Sequence, residues 1–138
     1  MAQLIDSSIF ITLERRGRPL GDLAEVVSGA DEPVALASIT ASELLVGIHM
    51  ANTVERRLQR EAFVEAVLAI VPVLSFDLRV SRIHARLWAA LLSRGEQIGD
   101  RDLMIAATAI ANEHEVLTDN LRHFGLVPGL TVRTPNWS

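Results

Sequence analysis

A chain of 138 residues with 49% hydrophobic residues is long enough to bury a core and too apolar to be disordered, and its net charge of −4 argues weakly against bulk adhesion to nucleic acid. The absence of cysteine excludes disulfides, zinc–thiolate centres and thiol nucleophiles. All 13 basic residues are Arg, so a Lys nucleophile, a Schiff base and a phosphate-loop Lys are excluded as well.

Residues 3–6 read as a short apolar strand ending at Asp6, and Ser7 or Ser8 caps a helix from Ile9 to Arg16 that Gly17 stops. A second helix over Leu20–Val27 is expected to end at Ser28-Gly29. Val34–Ile39 is apolar without alternation, as strands buried on both faces of a parallel sheet are. Thr40-Ala41-Ser42-Glu43 has the capping-box pattern, which predicts Thr40 as N-cap of a helix running to about Ala51. A longer helix spans Val54–Ile70. Its Arg56, Arg57 and Arg60 are expected to pair with Glu55, Glu61 and Glu65.

Val71–Leu74 suits a short strand, and Asp77–Arg94 a helix with Val80, Ile83, Leu87 and Leu91 on one stripe. Gly95–Asp100 reads as a loop, Asp102–Glu113 as an apolar helix, Glu115–Thr118 as a strand and Asp119–Phe124 as a loop or turn. Val127-Pro128-Gly129 turns the chain into a last strand, Leu130–Arg133. Trp88 is expected in the core or at a dimer contact, and Trp137 in a packed tail. Strands alternating with helices predict an α/β sandwich with a largely parallel sheet. The Met1-Ala2-Gln3 opening lacks a basic stretch, and no apolar run approaches the ~20 residues of a membrane span. A cytoplasmic protein without a membrane role is therefore expected.

Four acids fall at or near strand–helix boundaries: Asp6, Glu43, Asp102 and Asp119. In a parallel sheet such boundaries gather along one edge, where ligands bind. Carboxylates gathered there repel one another unless a cation offsets them, and an all-oxygen set suits Mg²⁺ or Mn²⁺. The competing local reading is that Asp6 and Asp102 are helix caps, Glu43 half of a capping box and Asp119 a turn residue. It leaves their shared location unexplained.

Five segments in order resemble the PIN-domain family, and within it the VapC-type toxins of toxin–antitoxin pairs. They are Leu4-Ile5-Asp6-Ser7-Ser8, Ser38 to Gly47 with Glu43 as its acid, Ile98 to Ala109 with Asp102 as its acid, Leu117-Thr118-Asp119-Asn120-Leu121-Arg122-His123-Phe124, and Val127-Pro128-Gly129-Leu130. The resemblance implies one PIN-like nuclease domain over residues 1–138, a three-layer α/β/α sandwich. It implies a Mg²⁺-dependent endoribonuclease, with Mn²⁺ as substitute, acting through Asp6, Glu43, Asp102 and Asp119. Asp6 and Asp102 are expected as direct metal ligands. The family's fourth position, two residues after the Thr, is Asn120 here with Asp119 just before it, so either residue is a candidate for that place; Glu43 and Asp100 are further candidate ligands. The implied partners are RNA as substrate, a second copy of the chain in a homodimer, a VapB-type antitoxin and, through the antitoxin, operator DNA. A PIN-like module that holds RNA without cutting is the alternative.

Overall fold

In the computed structural model, which describes residues 1–27 and 32–137, five strands form one wholly parallel sheet. In chain order they are β1 (Gln3–Ile5), β2 (Val34–Ala37), β3 (Val73–Leu74), β4 (Glu115–Leu117) and β5 (Val132–Arg133). The helices are α1 (Ser7–Arg15), α2 (Leu23–Val26), α3 (Ser38–His49), α4 (Val54–Ile70), α5 (Leu78–Ser93), α6 (Asp100–Ala111) and α7 (Leu121–Phe124), with a 3₁₀ turn at Leu20–Asp22.

The spatial order is β3-β2-β1-β4-β5. The chain therefore winds outward from β1 through β2 to β3, then returns to the other side of β1 for β4 and β5. Side chains alternate across the sheet as the strand period demands. Leu4, Ala35, Ala37 and Val116 face a core built with α5, α6 and Phe124 of α7. Ile5, Leu36 and Leu117 face a second core with α1, α2, α3 and α4. Two buried faces explain why the strands carry apolar runs rather than polar alternation, and they give the expected three layers. Among the described residues no helix is long and apolar enough to cross a membrane.

The local rules succeed where a cap or a stop decides. Gly17 and Gly95 take positive φ of 65° and 67° just beyond α1 and α5, where an L side chain would be strained. Thr53 and Asp77 each accept a hydrogen bond from a backbone N–H three residues on, opening α4 and α5.

Other boundaries differ from expectation. Strand β2 stops at Ala37 and passes into α3 with no loop. Ala37 occupies the N-cap, Ser38 Oγ donates to the Leu74 carbonyl, and Thr40 is buried within the helix. The Thr40–Glu43 capping box therefore does not form. The helix expected over Leu20–Val27 divides into the 3₁₀ turn and α2, and its expected Ser28-Gly29 end lies outside the described residues. Helix α6 begins at Asp100 with Gly99 as N-cap, two residues earlier than expected. Leu121–Phe124, expected in a loop, makes one helical turn because Phe124 is fully buried in the first core. Arg60 reaches across to Glu14 of α1 at 3.2 Å, and Arg56 to Asn52, rather than to the acids of their own helix. Trp88 is 53% exposed beside His84 and is no part of the core.

Candidate active site

The sheet order reverses between β1 and β4, and in open parallel sheets the crevice beyond the strand ends at such a reversal binds ligands. Asp6 is the residue after β1, and Thr118 and Asp119 follow β4. Glu43 lies in the second turn of α3 and Asp102 in the first turn of α6.

Asp6 is 97% withdrawn from solvent, its relative exposure being 3%. Its Oδ2 accepts hydrogen bonds from Thr118 Oγ1 at 2.7 Å and Ser8 Oγ at 3.0 Å. Burial nevertheless wins. Desolvation raises the Asp6 pKa above the ordinary carboxylate value, the two hydroxyls oppose the rise, and the Asp102 charge adds to it. Glu43 is raised for the same leading reason, with Asp6 and Asp102 repelling it and Arg101 drawing it down. Arg101 Nη1 stands 4.0 Å from Glu43 Oε2, at the limit of an ion pair, while the buried Oε1 has no hydrogen-bond partner. Asp102 Oδ2 meets His123 Nδ1 at 3.2 Å.

Asp119 is differently placed. Its Oδ2 accepts from Thr12 Oγ1 at 3.1 Å and its Oδ1 from Trp137 Nε1 at 2.8 Å. Thr12 lies further along α1 than Ser7, which adjoins Asp6, so the Asp119 carboxylate runs along α1 toward the Trp137 ring. The Arg16 guanidinium lies 4.8 Å from that ring's centre. Asn120 donates its backbone N–H to Thr118 Oγ1 at 2.9 Å and occupies the N-cap of α7. Among the described residues no hydrogen bond or ion pair ties Asp100 to the other acids.

Three of the expected acids, Asp6, Glu43 and Asp102, thus stand near one another, and burial, with mutual repulsion adding to it, raises two of them, whereas Asp119 is held by other partners. The Ser8 and Thr118 hydroxyls, the Asp102–His123 pair and the Trp137 contact on Asp119 went unforeseen. The hydroxyls had one sequence signal, proximity to an acid, as in Asp6-Ser7-Ser8 and Thr118-Asp119; the His123 and Trp137 contacts span 21 and 18 positions and had none. Among the described residues no three His, Asp or Glu side chains converge tightly enough to form a finished metal cluster. The donors still suit a hard divalent cation. They are all oxygen, they lack an internal counter-charge apart from Arg101, and Glu43 presents a buried oxygen with nothing bonded to it. Mg²⁺ keeps several waters and needs only one or two carboxylates.

A model of the PIN domain matches residues 4–129. The chain belongs to the PIN-domain family, among the VapC ribonucleases. It is 32% identical over 134 residues to ribonuclease VapC1 of Rickettsia felis, covering 97% of this chain and 96% of that one. It is 33% identical over 104 residues to the tRNA(fMet)-specific endonuclease VapC of Salmonella typhimurium, covering 75% of each. Its fold matches the VapBC2 complex of Rickettsia felis bound to a promoter DNA fragment with a TM-score of 0.82 at 22% identity, over 97% of this PIN chain and 98% of the other.

Proposed function

We propose that this PIN-domain protein is an endoribonuclease toxin that hydrolyses RNA phosphodiester bonds with a divalent cation, Mg²⁺ or Mn²⁺, held by Asp6 and Asp102, and that a VapB-type antitoxin silences it. The observation that carries the reading is the unpartnered buried Oε1 of Glu43 beside two further carboxylates that repel it. Such strain is expected where function requires it. The VapC names of the relatives support the nuclease and toxin assignments.

A divalent cation bound there supplies positive charge to the scissile phosphate and lowers the pKa of a bound water. Asp6, fixed by Thr118 and Ser8, and Asp102, fixed by His123, present oriented oxygens to that cation. Outer partners of this kind restrain ligands and tune their basicity. Glu43 accepts the proton of the attacking water at its free Oε1. Its raised pKa brings it closer to neutrality and makes it a better base than an ordinary carboxylate. Asp119, braced by Thr12 and Trp137, supports the β4 end rather than acting as a primary ligand, and Asn120 caps α7.

The antitoxin reading has its own surface. A cavity of about 190 Å³ between α1, α3 and α4 is lined by Phe10, Phe63, Val64, Glu14 and Glu43. It adjoins an open groove of about 440 Å³ along Ile11 and Phe63. Apolar walls that include Glu43 suit an antitoxin peptide carrying apolar anchors and one basic side chain directed at Glu43. Operator DNA is contacted through that antitoxin. The chain acts as one nuclease domain in the cytoplasm and pairs as a homodimer, for which light scattering is the check.

The decisive experiment is incubation of total RNA with the purified, antitoxin-free protein and Mg²⁺ or Mn²⁺, beside EDTA and an Asp102→Asn control. Discrete fragments absent from both controls are expected. Failure of folded protein to cut with either metal would leave the module that holds RNA without cutting.

A further inference from the structure

We propose that the cavity on the α6–α7 side of Asp102 is the binding site for one nucleotide of a single-stranded RNA next to the scissile phosphate, with Arg122 holding a phosphate. The proposal rests on the nuclease reading above and adds to it which side of the site the strand takes and in what form.

The cavity has a volume of about 460 Å³, and Asp102, Arg122, His123, Ile98, Gln97 and Leu126 contribute to its walls. Asp102, an acid of the candidate site, therefore forms part of its boundary, and the neighbouring wall residue His123 contacts that same carboxylate at 3.2 Å. Arg122 is exposed and makes no side-chain hydrogen bond or ion pair with any described residue. Arg18, Arg60 and Arg133 differ, being spent on Asp22, Glu14 and Glu115. An unspent guanidinium on the wall of a cavity that opens onto a phosphodiesterase site suits a phosphate oxygen pair. Ile98 packs on the core from this wall, and Leu126 is 42% exposed. They offer an aliphatic surface to the face of a base, and Gln97 an amide to its edge.

Charge excludes a second cavity that reaches a site acid, the one beside Glu43. Glu14 and Glu43 line it, and its one cation, Arg60, is already held by Glu14 and by the Gly47 carbonyl at 3.0 Å. A polyanion is repelled there and admitted beside Arg122. A base can enter a cavity of this kind only when it is unstacked and unpaired, which selects loops and single strands over duplex. The His123 imidazole on the wall is engaged by Asp102, and no Phe or Trp lines the cavity, so the phosphate contributes most of the grip and base preference is small.

The test uses a fluorescein-labelled 12-nucleotide single-stranded RNA, its duplex, and the full chain, with anisotropy read in EDTA and cleavage read in Mn²⁺. Arg122→Ala is expected to weaken metal-free binding and raise KM about tenfold with kcat nearly unchanged, as for loss of one charged hydrogen-bonding contact. The logarithmic salt dependence of binding should become shallower by about 0.7, one phosphate's share for a single strand. Arg122→Lys should recover part of the loss, and Arg57→Ala, which removes the same charge from exposed α4, should behave as wild type. Wild-type affinity and KM in Arg122→Ala, an equal loss in Arg57→Ala, or equal binding of duplex and single strand would each overturn the proposal. Intact binding that depends on Arg122 without any cleavage would overturn the nuclease reading alone and leave the nucleotide site standing.

Discussion

Asp6 and Asp119 both follow neighbouring parallel strands, Asp6 by one residue and Asp119 by two, and their surroundings differ. Asp6 is buried, bonded through one oxygen to Thr118 and Ser8, and raised by desolvation. Asp119 is exposed and has both oxygens bonded, to Thr12 and Trp137. A strand-end position brings an acid to the active edge. Whether it acts there depends on which oxygens the fold leaves free and how much water it removes.

The contrast is broken most severely at Asp6 and Asp102. Asp6→Asn or Asp102→Asn should reduce metal-dependent RNA cleavage by more than ~100-fold, exceeding the ~10–100-fold typical of outer partners of a metal ligand. Gel analysis of cleavage together with Mn²⁺ titration checks this.

Thr118→Val comes next. It removes the 2.7 Å hydrogen bond that lowers the Asp6 pKa, so metal affinity should fall by ~10–100-fold. Because the Asp6 pKa then rises further, the onset of metal binding should move to higher pH. An onset moving to lower pH would contradict the assignment of Thr118.

Glu43→Gln separates function from stability. A carboxyl raised in the folded protein binds more protons there than in the unfolded chain, so its stability contribution is complete below the ordinary value, 4.5 for Glu, and is lost as pH rises through the folded value. The metal-free variant should therefore melt above wild type at neutral pH, with the difference shrinking below pH ~4.5, while cleavage is lost. Melting curves across pH, with and without Mn²⁺, read both effects.

Asp119→Asn should be mildest: a stability loss of ~1 kcal/mol and cleavage within ~threefold of wild type. A loss as large as that of Asp6→Asn would make Asp119 a ligand after all.

Much of the fold was legible because its signals are local. Apolar runs of strand length, the Asp77 cap and the Gly17 and Gly95 stops each report on a few neighbouring residues. The grouping of the candidate acids was legible for a related reason: strand ends and helix starts in a parallel sheet share an edge. Thr40-Ala41-Ser42-Glu43 shows the limit. Its local pattern fits a cap, but β2 runs directly into α3, Thr40 is buried inside the helix, and Glu43 stands against Asp6 and Asp102. Leu121–Phe124 misled similarly, since the burial of Phe124 favours a helical turn over a loop.

The sequence by itself determined the alternation of strands and helices, the exclusion of thiol and Lys chemistry, and the set of acids available at the active edge. Period, capping and composition are properties of short stretches. Only the tertiary structure decided that Asp6, Glu43 and Asp102 repel one another while Asp119 is tied to Thr12 and Trp137, and that Arg122 has no side-chain partner among the described residues. Those outcomes depend on the β3-β2-β1-β4-β5 order, which brings Thr118 onto Asp6 across 112 positions of sequence. They depend equally on desolvation, which is set by everything packed around a carboxylate and not by its neighbours in the chain.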